Sequence, residues 1–476
     1  MKPSSTTVLV DLGGIFMYPQ LETELKTTLT SITLRRIMSS ATWMSYEAGK
    51  LSESECFHQL SDQYGFEVND LLETIQCFRA TISYNKDLAS AFQELKEASD
   101  AKFVLVSNIS DPDYLALRQR WDDGFWSIFD HVFTSSMLGV RKPSLRFYRQ
   151  VLRATRTVPQ RAFIIDDRPE NVLAALSLGM HGTFCTKNIP RTLTNLLGDP
   201  VQRGLAFLQR NVGQIFTTTQ HGETIEEIYA PLLILEVLKD RNLVNIEPPP
   251  RLWNFFSGTP KYTSSVYPED LDTTSLALAT VPYEKATIHS ILDEMLDYVD
   301  EDGMVQAYFD KSRPRVDAVI SLNVLTIFYK HDRGYELPET LDWIHNILLN
   351  RAYMNGTRYY PTAEWFLYYM TRLLHGSNDP ALAERLEAPL RIRVTERIGV
   401  NGDAFCLGMR ILACDYLGIE NSLDRETLAG MQWEDGGWEP SCMYLFPGEK
   451  REVGHRGATT AFAVKALENW TWSGMV

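Results

Sequence analysis

The chain has 476 residues, of which 44% are hydrophobic and 22% charged, and its formal net charge is -15 at pH 7. This length exceeds one ordinary domain, and the composition is typical of a soluble, well-packed protein. The acidic excess argues against nucleic acid as a partner, because phosphate backbones are bound by clustered Lys and Arg. It does not exclude a small phosphorylated ligand, which needs only a local basic cluster or bridging metal ions.

The cysteines and the apolar segments bear on the cellular compartment. The six cysteines form no Cys-x-x-Cys pair and no Cys/His zinc spacing, which predicts unpaired thiols in a reducing compartment. The N-terminal "MKPSSTTVLVDLGG" runs into an apolar strand without the core of a signal peptide. No apolar run approaches the ~20 residues of a membrane span. We therefore expect a cytoplasmic protein without a membrane span, and the sequence carries no indication of oligomeric state.

Residues 1–195 alternate short apolar strands with helices, the pattern of an α/β Rossmann-like domain. Buried strands are predicted at "TTVLVDLGG", "AKFVLVSNIS" and "RAFIIDDRPENV". The helical stretch at about residues 20–100, between the first two strands, is predicted to form a small cap.

Polar residues follow each of these three strands. Ligands of an open α/β sheet bind at the carboxyl ends of its strands, so we expect these side chains to meet there. Phosphoryl transfer to a carboxylate uses a nucleophile, a hydroxyl and a cation that take the phosphate charge, and further carboxylates that hold Mg²⁺. The strand ends supply Asp11, Ser107, Asn108, Asp166 and Asp167, and "GVRKPSLRFY" between the second and third predicted strands supplies Lys142.

In these motifs and their order, residues 1–195 resemble a haloacid dehalogenase-like (HAD) hydrolase with a small helical cap. The resemblance implies that Asp11 is the nucleophile and a metal ligand. It implies phosphate binding by Ser107, Asn108 and Lys142. The implied Mg²⁺ site consists of Asp11, Gly13, Asp166 and Asp167.

The sequence departs from the HAD pattern at Gly13. The family's general acid lies two residues after the nucleophile, and "DLGG" has a glycine there. Without that acid, protonation of a poor leaving group is harder, although diphosphate is a better leaving group than a simple alkoxide. Two interpretations stay open, a working phosphatase and a retained scaffold used for packing or assembly.

From about residue 196 to residue 476 the apolar pattern is helical, and most segments end at Gly or Asp-Gly. A chain of helices over ~270 residues favours one all-α α/α barrel over a bundle. The sequence therefore predicts strands only in the first half. The boundary is predicted within residues 188–204, giving domains 1–195 and 196–476.

The segment "YPEDLDTTSLALAT" at residues 267–280 allows three interpretations. D-x-D-x-T matches the nucleophile loop of a phosphatase, but such a loop follows an apolar strand, whereas "GTPKYTSSVYPE" precedes this one. A solvated acidic helix cap is the second interpretation. The third is an acid that protonates an alkene, for which hydrogen bonds must stabilise the conjugate base in a dry cavity lined by aromatic faces.

"DLDTT" resembles the DxDTT variant of the class II terpene cyclase acid motif, and "QWEDGGW" resembles the QxxxGxW repeat of α/α-barrel cyclases. The resemblance implies that Asp272 is the proton donor, oriented by Asp270 and by Thr273 or Thr274. Candidate cavity aromatics are Trp253, Tyr262, Tyr267, Trp365, Phe366, Tyr369, Trp433, Trp438, Tyr444 and Phe446. Candidates for diphosphate binding at the barrel mouth, with a solvated basic loop as the alternative, are Lys450, Arg451 and Arg456.

A HAD-like domain joined to one class II barrel resembles the drimane-type sesquiterpene cyclases. The resemblance implies an isoprenyl diphosphate substrate, farnesyl diphosphate, which is cyclised to drimenyl or albicanyl diphosphate and then hydrolysed to the alcohol. It implies Mg²⁺ as the cofactor at both sites. Two alternatives stay open, a cyclase with an inert N-terminal domain and a HAD phosphatase with a helical interaction domain.

Overall fold

The computed structural model describes residues 6–17, 29–184, 188–446, 448, 451–468 and 470. Contacts between Cα atoms divide the chain into two compact units, one ending at Leu197 and the other spanning Gly198–Trp470. Within the described ranges, no helix combines the length and the apolar character needed to cross a bilayer. Free thiols are found at Cys56, Cys77, Cys406, Cys414 and Cys442, and Cys185 lies outside the described residues.

The first unit contains a parallel sheet of five strands in the order β3-β2-β1-β4-β5. The strands are β1 (Thr7–Asp11), β2 (Lys102–Ser107), β3 (His131–Thr134), β4 (Ala162–Asp166) and β5 (His181–Phe184). The sequence predicts β1, β2 and β4, which are almost wholly buried. It misses β3 and β5, because these four-residue edge strands are mostly part-exposed and lack an apolar run. The predicted α/β fold is confirmed.

Helices surround this sheet and form the cap. They are α1 (Ser31–Met38), α2 (Ala41–Glu47), α3 (Glu53–Tyr64), α4 (Val68–Thr81), α5 (Lys86–Ala98), α6 (Asp111–Arg120), α7 (Asp123–Ser127), α8 (Ser135–Leu138), α9 (Leu145–Thr155), α10 (Pro169–Leu176) and α11 (Ile189–Leu197). Helices α1 to α4 share a small apolar core of their own. Helix α5 instead buries Leu88 and Phe92 against the sheet, so it belongs to the α/β body and not to the predicted cap.

The second unit is built from eleven helices within its described residues. They are α12 (Pro200–Arg210), α13 (Tyr229–Leu238), α14 (Leu271–Thr280), α15 (Lys285–Leu296), α16 (Ala318–Lys330), α17 (Pro338–Leu349), α18 (Ala363–Gly376), α19 (Pro380–Thr395), α20 (Ala404–Tyr416), α21 (Ser422–Gly430) and α22 (Arg456–Leu467).

Six of these helices form a closed inner ring. Each packs against the next in the order α13, α14, α16, α18, α20 and α22, and α22 packs against α13. The ring helices are buried on nearly every face, as in α16, where all residues of 318–328 are buried. Helices α12, α17, α19 and α21 pack outside the ring. The predicted α/α barrel is confirmed.

The prediction that strands are confined to the first half is wrong. A four-stranded antiparallel sheet, in the order β7-β6-β9-β8, lies in the second unit. Its strands are β6 (Thr217–Thr219), β7 (Thr224–Ile225), β8 (Tyr444–Phe446) and β9 (Arg451–Gly454). Strands of two to four residues are too short to show a period in the sequence.

The "QWEDGGW" segment follows α21 and is fastened to helix α12. The Gln432 side chain donates to the carbonyls of Pro200 and Gly436, each at 2.9 Å, and accepts a hydrogen bond from Arg203 at 2.8 Å. Gly436 has φ of 94°, and a Cβ there would lie 2.4 Å from the Arg203 carbonyl. Only glycine fits that close approach. The motif is therefore a structural brace of the barrel.

Candidate active sites

The first site lies at the carboxyl ends of β1, β2 and β4. Lys142 Nζ is 2.8 Å from Asp11 Oδ1, 2.7 Å from Asp166 Oδ2 and 3.0 Å from the Val106 carbonyl. The lysine side chain is only 1% exposed. Burial raises the pKa of Asp11 to about 7, and the positive charge of Lys142 opposes this rise. The structure thus joins Lys142 to Asp11 and Asp166, two of the residues predicted from the strand ends.

Three carboxylates of this site could hold a metal ion. Oxygen atoms of Asp11, Asp166 and Asp167 lie within 4.8 Å of one another, a hard-oxygen donor set that fits Mg²⁺. Gly14 has φ of 71°, and a Cβ there would lie 2.2 Å from Asp167 Oδ2, so the turn after Asp11 requires glycine. Gly13 offers only its backbone, and a Cβ there would lie 4.0 Å from Asp11 Oδ2. The site therefore has room for an acid at position 13 but no acid there.

The two other predicted phosphate ligands differ in their surroundings. Ser107 is buried at the end of β2, next to the carbonyl that binds the lysine. Asn108 uses both ends of its amide on the backbone of Lys142, accepting from its N–H at 2.9 Å and donating to its carbonyl at 3.0 Å. These contacts favour a role for Asn108 in holding the loop that carries Lys142, and they do not favour the predicted role in phosphate binding.

The second site begins where helix α14 begins. Asp270 is the N-cap of this helix and accepts a hydrogen bond from the Thr273 N–H at 2.6 Å. This confirms the loop-then-helix context that separates "DLDTT" from a phosphatase loop. Thr274 binds the backbone N–H of Trp253 at 3.0 Å, so its hydroxyl anchors the preceding loop. The Thr273 hydroxyl has no hydrogen-bond partner among the described residues and lines the adjacent cavity.

Asp272 lies one residue into the helix and is the centre of a buried hydrogen-bond network. Its Oδ1 accepts from Asn323 Nδ2 at 2.9 Å and from the Tyr229 hydroxyl at 3.4 Å, and its Oδ2 accepts from the Tyr360 hydroxyl. Tyr369 extends the network, because its hydroxyl is 2.6 Å from that of Tyr229. In each of these hydrogen bonds the Asp272 carboxylate is the acceptor. The donors therefore stabilise the anion that remains after proton transfer.

Arg372, which forms an ion pair with Glu236, fixes the orientation of the Asn323 amide. Arg372 Nη1 donates to Asn323 Oδ1 at 3.2 Å, so the amide NH₂ must face Asp272. Arg372 is itself held by an ion pair with Glu236, and its guanidinium lies 4.3 Å from the centre of the Tyr369 ring. A buried positive charge is thereby linked to the acid through one amide. The sequence motif gives no sign of these residues.

The paired carboxyl groups have raised pKa values. Burial raises the pKa of Asp272 to about 6, opposed by the hydrogen bonds from Tyr360 and Asn323. Burial and then the neighbouring charge of Asp272 raise the pKa of Asp270 to about 8. Asp270 Oδ2 has no hydrogen-bond partner in the described part of the chain. Both carboxyl groups therefore hold protons at a higher pH than exposed aspartates do.

These carboxyl groups open onto a cavity of about 380 Å³, here called the reaction cavity. Such a volume lies in the range of small-molecule sites. Nine aromatic residues contribute to its lining, and most are tyrosines from loops and short strands. They are Tyr229, Phe255, Tyr262, Tyr267, Tyr308, Tyr359, Tyr360, Tyr444 and Phe446.

Of the ten candidate aromatics, four are in this lining, namely Tyr262, Tyr267, Tyr444 and Phe446, and the other six are not. Phe366 stacks on Tyr353 with ring centres 5.0 Å apart, and Trp433 is 40% exposed. The remaining four of these six pack between helices or bind backbone and side chains behind the lining. They are Trp253, Trp365, Tyr369 and Trp438.

The predicted basic residues at the barrel mouth have other partners or are not described. Lys450 lies outside the described residues. Arg451 forms an ion pair with Glu223 at 2.5 Å. Arg456 forms one with Asp435 at 2.8 Å and does not line the cavity. The ion pairs of Arg451 and Arg456 therefore favour a structural role for these two residues over diphosphate binding.

Three other arginines line the reaction cavity instead. Arg313 pairs with Asp310 at 3.3 Å and donates to the Ser264 hydroxyl at 2.5 Å. Arg315 and Arg358 are exposed and form no ion pair with any described residue. They come from two loops far apart in sequence, so no local motif could have identified them as one cluster.

Comparison with known proteins adds independent information. Residues 201–331 match the family described as the sesquiterpene cyclase astC-like C-terminal domain. The sesquiterpene phosphatase astK of Aspergillus oryzae is 31% identical over 183 residues, covering 38% of this chain and 90% of that protein. A solved HAD family enzyme from Bacteroides thetaiotaomicron covers 38% of this chain and 93% of its own, at 16% identity and a TM-score of 0.32.

One relative extends over nearly the whole chain. Drimenol cyclase drtB of Aspergillus calidoustus is 38% identical over 464 residues, which is 97% of this chain and 87% of the relative. The match spans both the parallel-sheet unit and the helical barrel. The chain therefore belongs to the sesquiterpene cyclase family that contains drimenol cyclase drtB.

Proposed function

We propose that this protein converts farnesyl diphosphate into a bicyclic drimane-type alcohol in two steps. The helical unit cyclises the substrate, and the α/β unit hydrolyses the diphosphate. The observation that carries the proposal is the environment of Asp272. This buried carboxyl group accepts hydrogen bonds from Tyr229, Asn323 and Tyr360, and it opens onto an aromatic cavity. The family relation, with a drimenol cyclase and a sesquiterpene phosphatase as relatives, supports it.

Cyclisation begins when Asp272 gives its proton to the terminal alkene while the C–O bond to the diphosphate stays intact. The cation that forms is attacked by the next alkene, and a second closure gives a bicyclic cation. The faces of the lining tyrosines and phenylalanines stabilise these cations and keep water away. Loss of a proton then gives a drimenyl or albicanyl diphosphate.

Asp272 can act as a strong acid because its conjugate base is stabilised in advance. Asn323 and two tyrosine hydroxyls are in place before the proton leaves, so no solvent reorganisation is required. Arg372 adds a buried positive charge behind Asn323. Asp270, which lacks this set of donors, is the weaker acid of the pair.

Hydrolysis takes place at the first site. Asp11 attacks the terminal phosphorus, and Lys142 compensates the negative charge of the phosphate oxygens. Mg²⁺ held by Asp11, Asp166 and Asp167 would supply further charge neutralisation. The first cleavage expels a phosphate monoester, which leaves without protonation. An acid at position 13 is therefore not needed for that cleavage. Water then hydrolyses the phosphate ester of Asp11, and a second round on the monophosphate breaks its P–O bond and releases the alcohol, whose oxygen takes its proton from water because position 13 is glycine.

The test of this proposal is a product analysis. We expect the full chain, incubated with farnesyl diphosphate and Mg²⁺ without added phosphatase, to give a bicyclic C15 alcohol by gas chromatography and mass spectrometry. A cyclic diphosphate as the only product would support the alternative of a cyclase with an inert first unit. Linear farnesol as the only product would support a phosphatase whose helical unit serves another purpose.

The arginines of the reaction cavity yield a second prediction. We propose that Arg315 and Arg358 bind the diphosphate, because they are exposed at the cavity and have no carboxylate partner among the described residues. Charge-assisted hydrogen bonds of this kind contribute ~1.5–3 kcal/mol each. We therefore expect Arg315→Gln and Arg358→Gln each to raise KM for cyclisation ~10-fold or more.

The control for these variants is Lys311→Gln, which removes a charge from the same loop. Lys311 lies 5.6 Å from the Tyr298 ring centre and does not line the cavity. Its KM should stay that of the wild type. An unchanged KM in the double variant of Arg315 and Arg358 would contradict the assignment.

A further inference from the structure

The charged residues that line the reaction cavity are of two kinds. Its carboxyl groups are Asp270 and Asp272, and its guanidinium groups belong to Arg313, Arg315 and Arg358. No other acidic or basic side chain of the described residues lines this cavity. Whether Mg²⁺ serves the cavity, as the family resemblance implies, depends on the donor atoms that these residues offer.

Asp272 does not suit a metal ion. Both of its carboxylate oxygens accept hydrogen bonds, from Asn323 at 2.9 Å, from Tyr229 at 3.4 Å and from Tyr360. These donors point their hydrogens to the places where a cation would have to lie. The group must also carry a proton to act as the acid, and a carboxylate that binds a metal is deprotonated. Asp272 therefore serves the alkene and not a metal ion.

Asp270 has no carboxylate oxygen free for a metal ion. Its Oδ1 accepts from the Thr273 N–H at 2.6 Å, and its Oδ2 is fully buried. Asp270 also adjoins Asp272, at the end of the cavity that receives the terminal alkene, whereas the diphosphate lies at the opposite end of the substrate. Neither carboxyl group is therefore available to a metal ion that would bind the diphosphate.

Two carboxylates that adjoin the lining in sequence have other surroundings. Asp310 pairs with Arg313 at 3.3 Å, and Glu269 lines a different cavity. Across the ranges that the structure describes, only one group of three possible metal ligands lies within 4.8 Å. That group belongs to the first site and consists of Asp11, Asp166 and Asp167. The hard-oxygen donor set that fits Mg²⁺ is thus found at the first site and not at the reaction cavity.

The three arginines offer the charge that a diphosphate requires. Arg315 and Arg358 are exposed and form no ion pair with any residue that the structure describes. Arg313 is held in place by the Ser264 hydroxyl at 2.5 Å and the Val266 carbonyl at 3.0 Å. Guanidinium groups bind phosphate oxygens through charge-assisted hydrogen bonds. Together they can compensate the charge of a diphosphate monoester, about -3 near neutral pH, and they repel a divalent cation.

We propose that Arg313, Arg315 and Arg358 hold the diphosphate during cyclisation in place of Mg²⁺. Mg²⁺ then serves the first site alone, where three carboxylates fit it. This replaces the expectation of Mg²⁺ at both sites. The proposal rests on the proposed cyclase function and specifies its cofactor requirement. Removal of divalent metal stops hydrolysis and leaves cyclisation running.

The test is incubation of the full wild-type chain with farnesyl diphosphate in excess EDTA, beside a parallel reaction in Mg²⁺. We expect both reactions to consume farnesyl diphosphate at similar rates. In EDTA the cyclic diphosphate should accumulate, and alcohol formation should fall at least ~10²-fold, because the first site loses its charge neutralisation. Later addition of Mg²⁺ should convert the accumulated diphosphate into the alcohol. Liquid chromatography with mass spectrometry follows both products.

The double variant Arg315→Gln/Arg358→Gln gives a second measurement. Its raised KM should be the same in EDTA and in Mg²⁺, because no carboxylate at the cavity can hold a metal ion in place of the arginines. Lys311→Gln is the matched control, since Lys311 lies in the same loop but does not line the cavity. It should behave as the wild type in both media.

Two results would overturn the proposal and leave the cyclase function in place. One is a cyclisation rate in EDTA more than about tenfold below the rate in Mg²⁺, a loss equal to one missing charge-assisted contact. The other is recovery of the wild-type KM by the double variant when Mg²⁺ is added. Absence of cyclic products in both media would instead remove the proposed function, and this proposal with it.

Discussion

Asp272→Asn should lower the rate of farnesyl diphosphate cyclisation by at least ~10³-fold, because an amide cannot protonate an alkene. Asn has nearly the volume of Asp and can still accept from Asn323, so the barrel should unfold within a few degrees of the wild type. Hydrolysis of a small phosphate monoester by the first unit should be unchanged. The measurements are product formation by mass spectrometry, phosphate release and thermal unfolding.

Glu269→Gln is the control for this variant. Glu269 is an exposed carboxylate three residues before Asp272 and does not line the reaction cavity. It should cyclise at the wild-type rate. Cyclisation by Asp272→Asn above about a tenth of the wild-type rate, a threshold taken from the size of general-acid effects, would move the proton donor to Asp270.

The second large effect is expected from Asp11→Asn, which removes the proposed nucleophile of the first site. Consumption of farnesyl diphosphate should be unchanged, but alcohol formation should fall by at least ~10³-fold, and the cyclic diphosphate should accumulate. Lys142 keeps its contact with Asp166 at 2.7 Å, so the buried ammonium stays paired and the unit should remain folded. Liquid chromatography with mass spectrometry distinguishes the diphosphate, the monophosphate and the alcohol.

Addition of an unrelated phosphatase provides the reciprocal check. It should restore the bicyclic alcohol to Asp11→Asn but not to Asp272→Asn. Asp111→Asn, which changes an exposed carboxylate in the first turn of α6, should behave as the wild type. Undiminished alcohol from Asp11→Asn alone would mean that the first unit does not carry out the hydrolysis.

The chemistry-bearing residues of the first site could be predicted because they follow apolar strands. The sheet order sets β1 between β2 and β4, so Asp11 must meet the residues that end the two neighbouring strands. Asp272 could be predicted for a different reason, since its motif marks both a loop and a helix start. Asn108 shows the limit of such reasoning, because position at a strand end does not say which atoms the side chain binds.

Only part of the cavity lining could be predicted, because the inner helices are buried on nearly all faces. In α18 the residues of 363–373 are buried without exception, so no hydrophobic period shows which side chains face inward. The lining comes largely from loops and from short strands that show no pattern of their own. Arg372 and Asn323 reach Asp272 from separate helices, and only the closed ring brings them together.

The closure of that ring by α22 against α13 has a consequence for how the barrel folds. These helices are more than 200 residues apart in sequence, and the brace at Gln432 joins two segments with a similar separation. Such non-local contacts slow folding, because the entropy cost of closing a long loop comes before the contacts that offset it can form. During synthesis the apolar inner faces therefore stay uncovered until the last helix has emerged. We therefore expect the incomplete barrel to be prone to aggregation until α22 has been synthesised.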